Sequence, residues 1–132
     1  MRRPPARGPT DRELSILHVL WELGPSTVRE VHRALQPALG LAYNTVLSML
    51  QVMTEKSLVK RDETRYPQHY EAVLAREATQ EAMTRDFMDQ VFGGSALQLV
   101  QRALSAKPTS KEELEQLEAF LRTQRKGSGH DL

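Results

Sequence analysis

Apolar residues recur along this chain at helical spacing, in segments bounded by capping and breaking residues. Leu14, Leu17, Leu20 and Trp21 form the first stripe, opened by Thr10-x-x-Glu13 and closed by Gly24-Pro25. A T-x-x-E sequence is a capping box, in which the hydroxyl and the carboxylate each accept a hydrogen bond from an otherwise unpaired N–H. Thr27 and Glu30 make a second box, Val28, Val31 and Leu35 a narrower stripe, and Pro37 is predicted to stop this short helix. A third helix carries Val46, Leu47, Leu50 and Met53 inward and is predicted to run to about Lys56, with Ser57 as its exit.

The period then changes. "LVKRD" and "QHYEAV" are short β-compatible runs, and the intervening "ETRYP" suits a hairpin tip better than a helix. Three helices followed by a hairpin make a winged helix-turn-helix over residues 10–73. From residue 74 to 126 the pattern is helical again. Ala78, Ala82, Phe87 and Val91 recur up to Gly93-Gly94. Ser95 can cap a helix bearing Leu97, Val100 and Leu104, which stops near Pro108. Thr109 or Ser110, the latter in a box with Glu113, opens a last helix with Leu114, Leu117, Phe120 and Leu121. The predicted fold class is mainly α with a small β-hairpin: an N-terminal winged helix and a C-terminal three-helix dimerisation domain. Residues 1–9 read as a flexible basic arm and 127–132 as a disordered tail. A segment of this size with one apolar stripe per helix buries little by itself, and a two-fold dimer pairs such a patch with its own copy.

Composition narrows the chemistry. Charged residues at 27% and apolar residues at 39% are a soluble globular balance. No apolar run nears the ~20 residues that span a bilayer, and the N-terminus has arginines without an apolar core behind them. A cytoplasmic protein without membrane insertion is expected. Cysteine is absent, which excludes disulfides and thiolate chemistry, and His18, His32, His69 and His130 lack metal-ligand spacing. No nucleophile elbow or phosphate-binding glycine loop is present, so neither an enzyme nor a cofactor is expected. Trp21 reads as core, and Phe87, Phe92 and Phe120 as domain or dimer core. Net charge is only +1, but residues 1–73 hold ten Lys and Arg against eight Asp and Glu, a mild local excess of positive charge.

The third helix is the informative one. Its outward face should present Tyr43, Asn44, Thr45, Ser48, Gln51 and Val52, almost without charge. Solvated helix faces usually carry Lys and Glu. Amides, hydroxyls and small apolar groups suit the donors, acceptors and thymine methyls on base edges in a major groove. Tyr43, Asn44, Thr45 and Ser48 lie at the end that docks deepest in a helix-turn-helix, with Gln51 one turn further on. Lys56, Lys60, Arg61 and Arg65 follow at the helix exit and wing, where phosphates would lie. Thr27 and Arg29, opening the second helix, can clamp another phosphate. Arg2, Arg3 and Arg7 read as keeping the terminus soluble.

"TDRELSILHVLWELGPSTVREVHRAL", "AYNTVLSMLQVMTEKSLVKRDE" and "VFGGSALQLVQRAL" with "TSKEELEQLEAFL" resemble the penicillinase-repressor family, over about residues 10–122. The resemblance implies a dimeric transcriptional repressor that reads an inverted-repeat operator with TACA/TGTA-type half-sites. It also implies control of its own operon and of a resistance or membrane-peptidase gene, with a membrane metalloprotease sensor as partner. Base reading falls on Tyr43, Asn44, Thr45 and Ser48, and the wing arginine on Arg65. The dimer falls on Ala82, Phe87, Val91, Leu97, Val100, Leu104, Leu114, Leu117, Phe120 and Leu121. Three departures stand out. The Asn-Phe bond cleaved in penicillin-resistance members is absent, since Asn44 is the chain's only asparagine and Thr45 follows it. The cysteine cluster of copper-responsive relatives is missing. Ser57 replaces the usual glycine after "EK". Alternative classes are a winged-helix module that binds protein and a ligand-sensing winged-helix regulator.

Overall fold

The computed structural model describes residues 8–129, with side chains through 127. The arm residues Arg2, Arg3 and Arg7, His130 and the end of the tail lie outside the described residues. The elements run α1 (Asp11–Leu23), α2 (Val28–Leu39), α3 (Tyr43–Glu55), β1 (Val59–Asp62), β2 (His69–Ala72), α4 (Arg76–Phe92), α5 (Ala96–Ala106) and α6 (Lys111–Gly129). The chain divides between residues 87 and 88 into two compact units.

The caps form as the sequence predicts. The Glu13 N–H donates to Thr10 Oγ1 at 3.2 Å and the Thr10 N–H donates to Glu13 Oε1 at 2.9 Å. Thr27 and Glu30 repeat this at 3.1 and 2.8 Å. Ser95 accepts from the Gln98 N–H, and Ser110, rather than Thr109, accepts from the Glu113 N–H. Each satisfies a donor that helix geometry leaves without an intrahelical partner.

Pro37 does not stop α2. It sits inside the helix, which continues to Leu39 and ends where Gly40 takes a left-handed φ of 59° and donates its N–H to the Gln36 carbonyl at 3.0 Å. A proline in the last turn forfeits one hydrogen bond, and the packing of Val31 and Leu35 outweighs that loss. The last helix likewise continues through residues 127–129, where the sequence predicts fraying.

The first unit is built around Ile16, Leu17, Leu20, Val28, Val31, Leu35, Leu41, Val46, Leu50, Met53, Val59 and Tyr70, all buried. The α1 stripe is rotated from its expected position. Ile16 is fully buried, while Leu14 and Trp21 pack at the margin of this core. Trp21 spends its indole N–H on the Leu74 carbonyl at 3.0 Å, 53 residues away, tying α1 to the chain that leaves the wing. Amphipathic Trp often takes such a position, with its ring on the core and its N–H satisfied at the edge.

β1 and β2 pair antiparallel, with Val59 opposite Ala72 and Asp62 opposite His69. A third segment joins them. The Ser26 N–H donates to the Tyr70 carbonyl at 2.9 Å, and the Tyr70 N–H donates to the Ser26 carbonyl at 2.7 Å. The link between α1 and α2 therefore adds an edge to the hairpin and anchors the wing to the start of α2.

In the second unit no residue from 88 to 127 is buried. Leu97 is 67% exposed and Phe120 59%, with Val91, Val100, Leu104, Leu114 and Leu121 also exposed. Leu117 is half-buried. In α4, on the first unit's side of the division, the buried position is Thr79, while Ala78, Ala82 and Phe87 are exposed.

Candidate nucleic-acid interface

The third helix is held from below and bare above. Val46, Leu50 and Met53 are fully buried, whereas Tyr43, Asn44, Thr45, Ser48, Gln51 and Val52 are all exposed. Ala42 caps α3 without a side-chain hydrogen bond, so nothing polar from the cap overhangs its first turn. The only charged residue in the helix is its last, Glu55.

Two devices fix the far end of α3. Its exit is a Schellman turn: the Leu58 N–H donates to the Met53 carbonyl at 2.9 Å, and the Ser57 N–H donates to the Thr54 carbonyl at 3.1 Å. This turn requires a left-handed residue, and Ser57 takes φ 63°, the only non-glycine with positive φ among the described residues. The second device is electrostatic. Lys56 Nζ donates to both Glu13 oxygens, at 2.8 and 3.0 Å. Glu13 is only 6% exposed. Burial pushes its pKa up, but the hydrogen bonds from Lys56 and Thr10 and the Lys56 charge outweigh burial and hold it below the usual 4.5. One carboxylate thus caps α1 and ties it to the end of α3.

The cations read from the sequence as a phosphate-binding group differ in their surroundings. Lys56 is bound to Glu13. Lys60 lies 3.5 Å from Glu71, and Arg61 lies 3.2 Å from Glu63. The pKa of Arg61 is raised, chiefly by its hydrogen bond to the Tyr70 side chain, with desolvation opposing and attraction to Tyr70 and Glu63 adding to the rise. Among the described residues no carboxylate oxygen lies within 4.0 Å of Arg29, Arg33 or Arg65. Arg65 still feels Glu30 and Asp62, whose pKa values it helps to lower; the hydrogen bonds from Thr27 to Glu30 and from Thr64 to Asp62 dominate those two shifts.

A cleft of about 340 Å³ opens where α2, α3 and the wing meet, lined among others by Thr27, Arg29, Tyr43, Tyr66 and Gln68. The structure therefore brings together Thr27, Arg29 and Tyr43 from the predicted set. Tyr66 was not singled out by sequence reasoning. It stands at the wing tip 98% exposed, with a cis bond to Pro67. Its Tyr-Pro pairing in a predicted hairpin tip was the available signal. A second groove of about 300 Å³ lies beside the first, between the outer face of α2 and Tyr43.

The family model described as penicillinase repressor matches residues 9–123. The chain belongs to the penicillinase repressor family. Among curated members, the transcriptional regulator BlaI from two strains of Mycobacterium tuberculosis is 44% identical over 50 residues. That alignment covers 37% of this chain and 36% of the relative, so the chain spans about a third of the curated relatives it matches. Among solved structures, a MarR family protein from Bacillus stearothermophilus superposes with a TM-score of 0.51 at 20% identity, over 92% of this chain and 76% of that one. This likeness shows the winged-helix fold. Helix α3 and the wing both belong to the first unit. Among the described residues of this penicillinase repressor family member, no helix is long and apolar enough to cross a membrane.

Proposed function

We propose that this chain is a homodimeric, sequence-specific DNA-binding repressor that reads an inverted-repeat operator through α3 and the wing. The observation that carries this reading is the exposed, uncharged face of α3. Asn44 and Gln51 each offer a paired donor and acceptor, which matches the N6/N7 edge of adenine. Thr45 and Ser48 can bond a base or a phosphate, and Tyr43 packs or bonds at the deep end of the helix. The core beneath α3 and the ion pair at its end fix the helix before DNA arrives, which leaves only its exposed side chains to be ordered on binding. Thr27 and Arg29 meet the backbone on one side of the groove, and the wing residues Lys60, Arg61 and Arg65 on the other. Lys56 acts mainly through Glu13, holding α3 in place, with its remaining exposed surface near the backbone.

Apolar residues on α4, α5 and α6, exposed apart from half-buried Leu117, support dimerisation through Ala82, Phe87, Val91, Leu97, Val100, Leu104, Leu114, Leu117, Phe120 and Leu121. A two-fold dimer would present two α3 helices to two half-sites. Its targets in this reading are its own operon and a resistance or membrane-peptidase gene, with a membrane metalloprotease as sensor. The protein acts in the cytoplasm, where the DNA is.

The test is binding of the full chain to a duplex from upstream of its own gene, against a shuffled duplex of equal composition, at about 0.15 M salt. A preference on the order of 10³ or more is expected. The double variant Asn44→Ala with Thr45→Ala should lose sequence preference by about 1–3 kcal/mol per lost base contact while keeping its fold. Equal affinity of the wild type for both duplexes would overturn the reading.

A further inference from the structure

The outer face of α2 carries a groove whose cations stand apart from those of the wing. Arg29 and Arg33 are one turn apart on the helix surface opposite Val28, Val31 and Leu35, and with His32, Gln36 and Tyr43 they line a groove of about 300 Å³. His32 stacks edge-on against Tyr43, ring centroids 5.8 Å apart, which joins this face of α2 to the first residue of α3. Residues at i and i+4 project side by side, so two guanidinium groups converge on one stretch of groove.

The electrostatics differ from those of the α3 exit and β1, and match those of Arg65. Lys56, Lys60 and Arg61 each have a carboxylate within 4.0 Å, whereas among the described residues Arg29 and Arg33 have none. The one acidic residue of α2, Glu30, is engaged by the Thr27 N–H at 2.8 Å, and its attraction falls on Arg65 and His69 of the wing. In the α2 groove two guanidinium groups thus share one surface, and among the described residues neither has a carboxylate oxygen within 4.0 Å.

Arg29 and Tyr43 line both this groove and the cleft beside α3. A polyanion seated on the α3 face would therefore continue into the α2 groove without a break.

We infer that the outer groove of α2, built by Arg29, His32, Arg33 and Gln36, binds the phosphate backbone of duplex DNA beside the segment whose bases α3 reads. This rests on the DNA-binding reading above. Arg33 is its distinguishing residue. Each guanidinium can hold a phosphate through two parallel N–H bonds, and the Gln36 amide and the Tyr43 hydroxyl supply neutral donors at the rim. The β1 cations Lys60 and Arg61, each paired with a neighbouring carboxylate, contribute less to counterion release than their charge suggests.

The experiment measures affinity against salt for the full chain on two duplexes of equal length, one from upstream of its own gene and one of random sequence. Arg33→Ala should lower the steepness of log K against log salt by about 1, and Arg29→Ala with Arg33→Ala by about 2. The loss in affinity should be equal on the two duplexes, because phosphate contacts carry no sequence information. Lys60→Ala with Arg61→Ala removes the same net charge and should change the slope by less than half as much. Circular dichroism of each variant checks the fold, which exposed Arg33 is not expected to affect. Equal slopes for the α2 and wing variants would overturn the inference, as would an unchanged slope for Arg33→Ala or a loss confined to the upstream duplex. Wild-type protein that bound both duplexes equally but kept the Arg33-dependent slope would refute operator reading and leave the α2 groove standing. Wild-type protein that bound neither would refute both.

Discussion

At the residue scale, two positions carry more than their side chains suggest. Ser57 holds a left-handed conformation at φ 63° in the turn that ends α3 and starts the wing. An L-residue pays roughly 1–2 kcal/mol there and glycine almost nothing, although glycine also gains entropy in the unfolded chain. Ser57→Gly should therefore raise stability by up to about 1 kcal/mol, read as a higher midpoint in urea with an unchanged m-value. A lower midpoint would mean that the serine makes an interaction outweighing its strain. Glu13 is the second position. Its folded pKa lies below its ordinary 4.5, so its contribution is fully present above that value and is lost as pH falls through the lowered folded value. Glu13→Gln keeps a capping side chain but removes the charge that Lys56 binds. It should cost about 1–3 kcal/mol near pH 7, and the gap from wild type should narrow as pH falls below 4.5 and through the lowered folded pKa. A gap independent of pH would rule out the ion pair as the cause.

At the element scale, short helices depend on their ends and on a few tertiary ties. The two capping boxes and the Ser95 and Ser110 caps were legible because their chemistry is local: a hydroxyl and an acid three residues apart need only helix geometry to meet. Thr27→Ala should cost about 1 kcal/mol and loosen the start of α2, which hydrogen exchange at the Glu30 amide would report as reduced protection. The wing depends instead on contacts that no local pattern encodes. Trp21→Phe keeps the ring but loses the bond to the Leu74 carbonyl. A loss of about 1 kcal/mol is expected, with faster exchange in β2 than in α1. Pro37 illustrates the opposite error. Its local preference for breaking a helix is genuine, but α2 packs through Val31 and Leu35 and continues one further turn to Gly40.

At the scale of the whole molecule, the two units differ in what they bury. The first closes a core with fully buried Ile16, Val31, Val46, Leu50 and Met53. The second buries no residue from 88 to 127, although it carries large apolar side chains. Large apolar side chains left in water with no buried core beside them fit the proposed self-association. Leu97→Asp with Phe120→Asp should shift sedimentation at micromolar concentration from dimer to monomer and weaken operator binding by about tenfold or more, since two linked half-site contacts become one. An unchanged sedimentation coefficient would place the dimer contact elsewhere.

The sequence by itself determined the order of elements, the caps, the inward residues of α3 and the uncharged face opposite them. Each of these follows from spacing and side-chain chemistry within a few residues. Tertiary structure alone decided the rest. It buried Ile16, Leu41 and Tyr70, paired Ser26 with Tyr70 to brace the wing, and tied Lys56 to Glu13 across 43 residues. It also separated the internally paired cations of the helix exit and β1 from Arg29 and Arg33 on α2. A sequence shows that positive residues are present, but whether each is neutralised depends on which carboxylate the fold brings within reach.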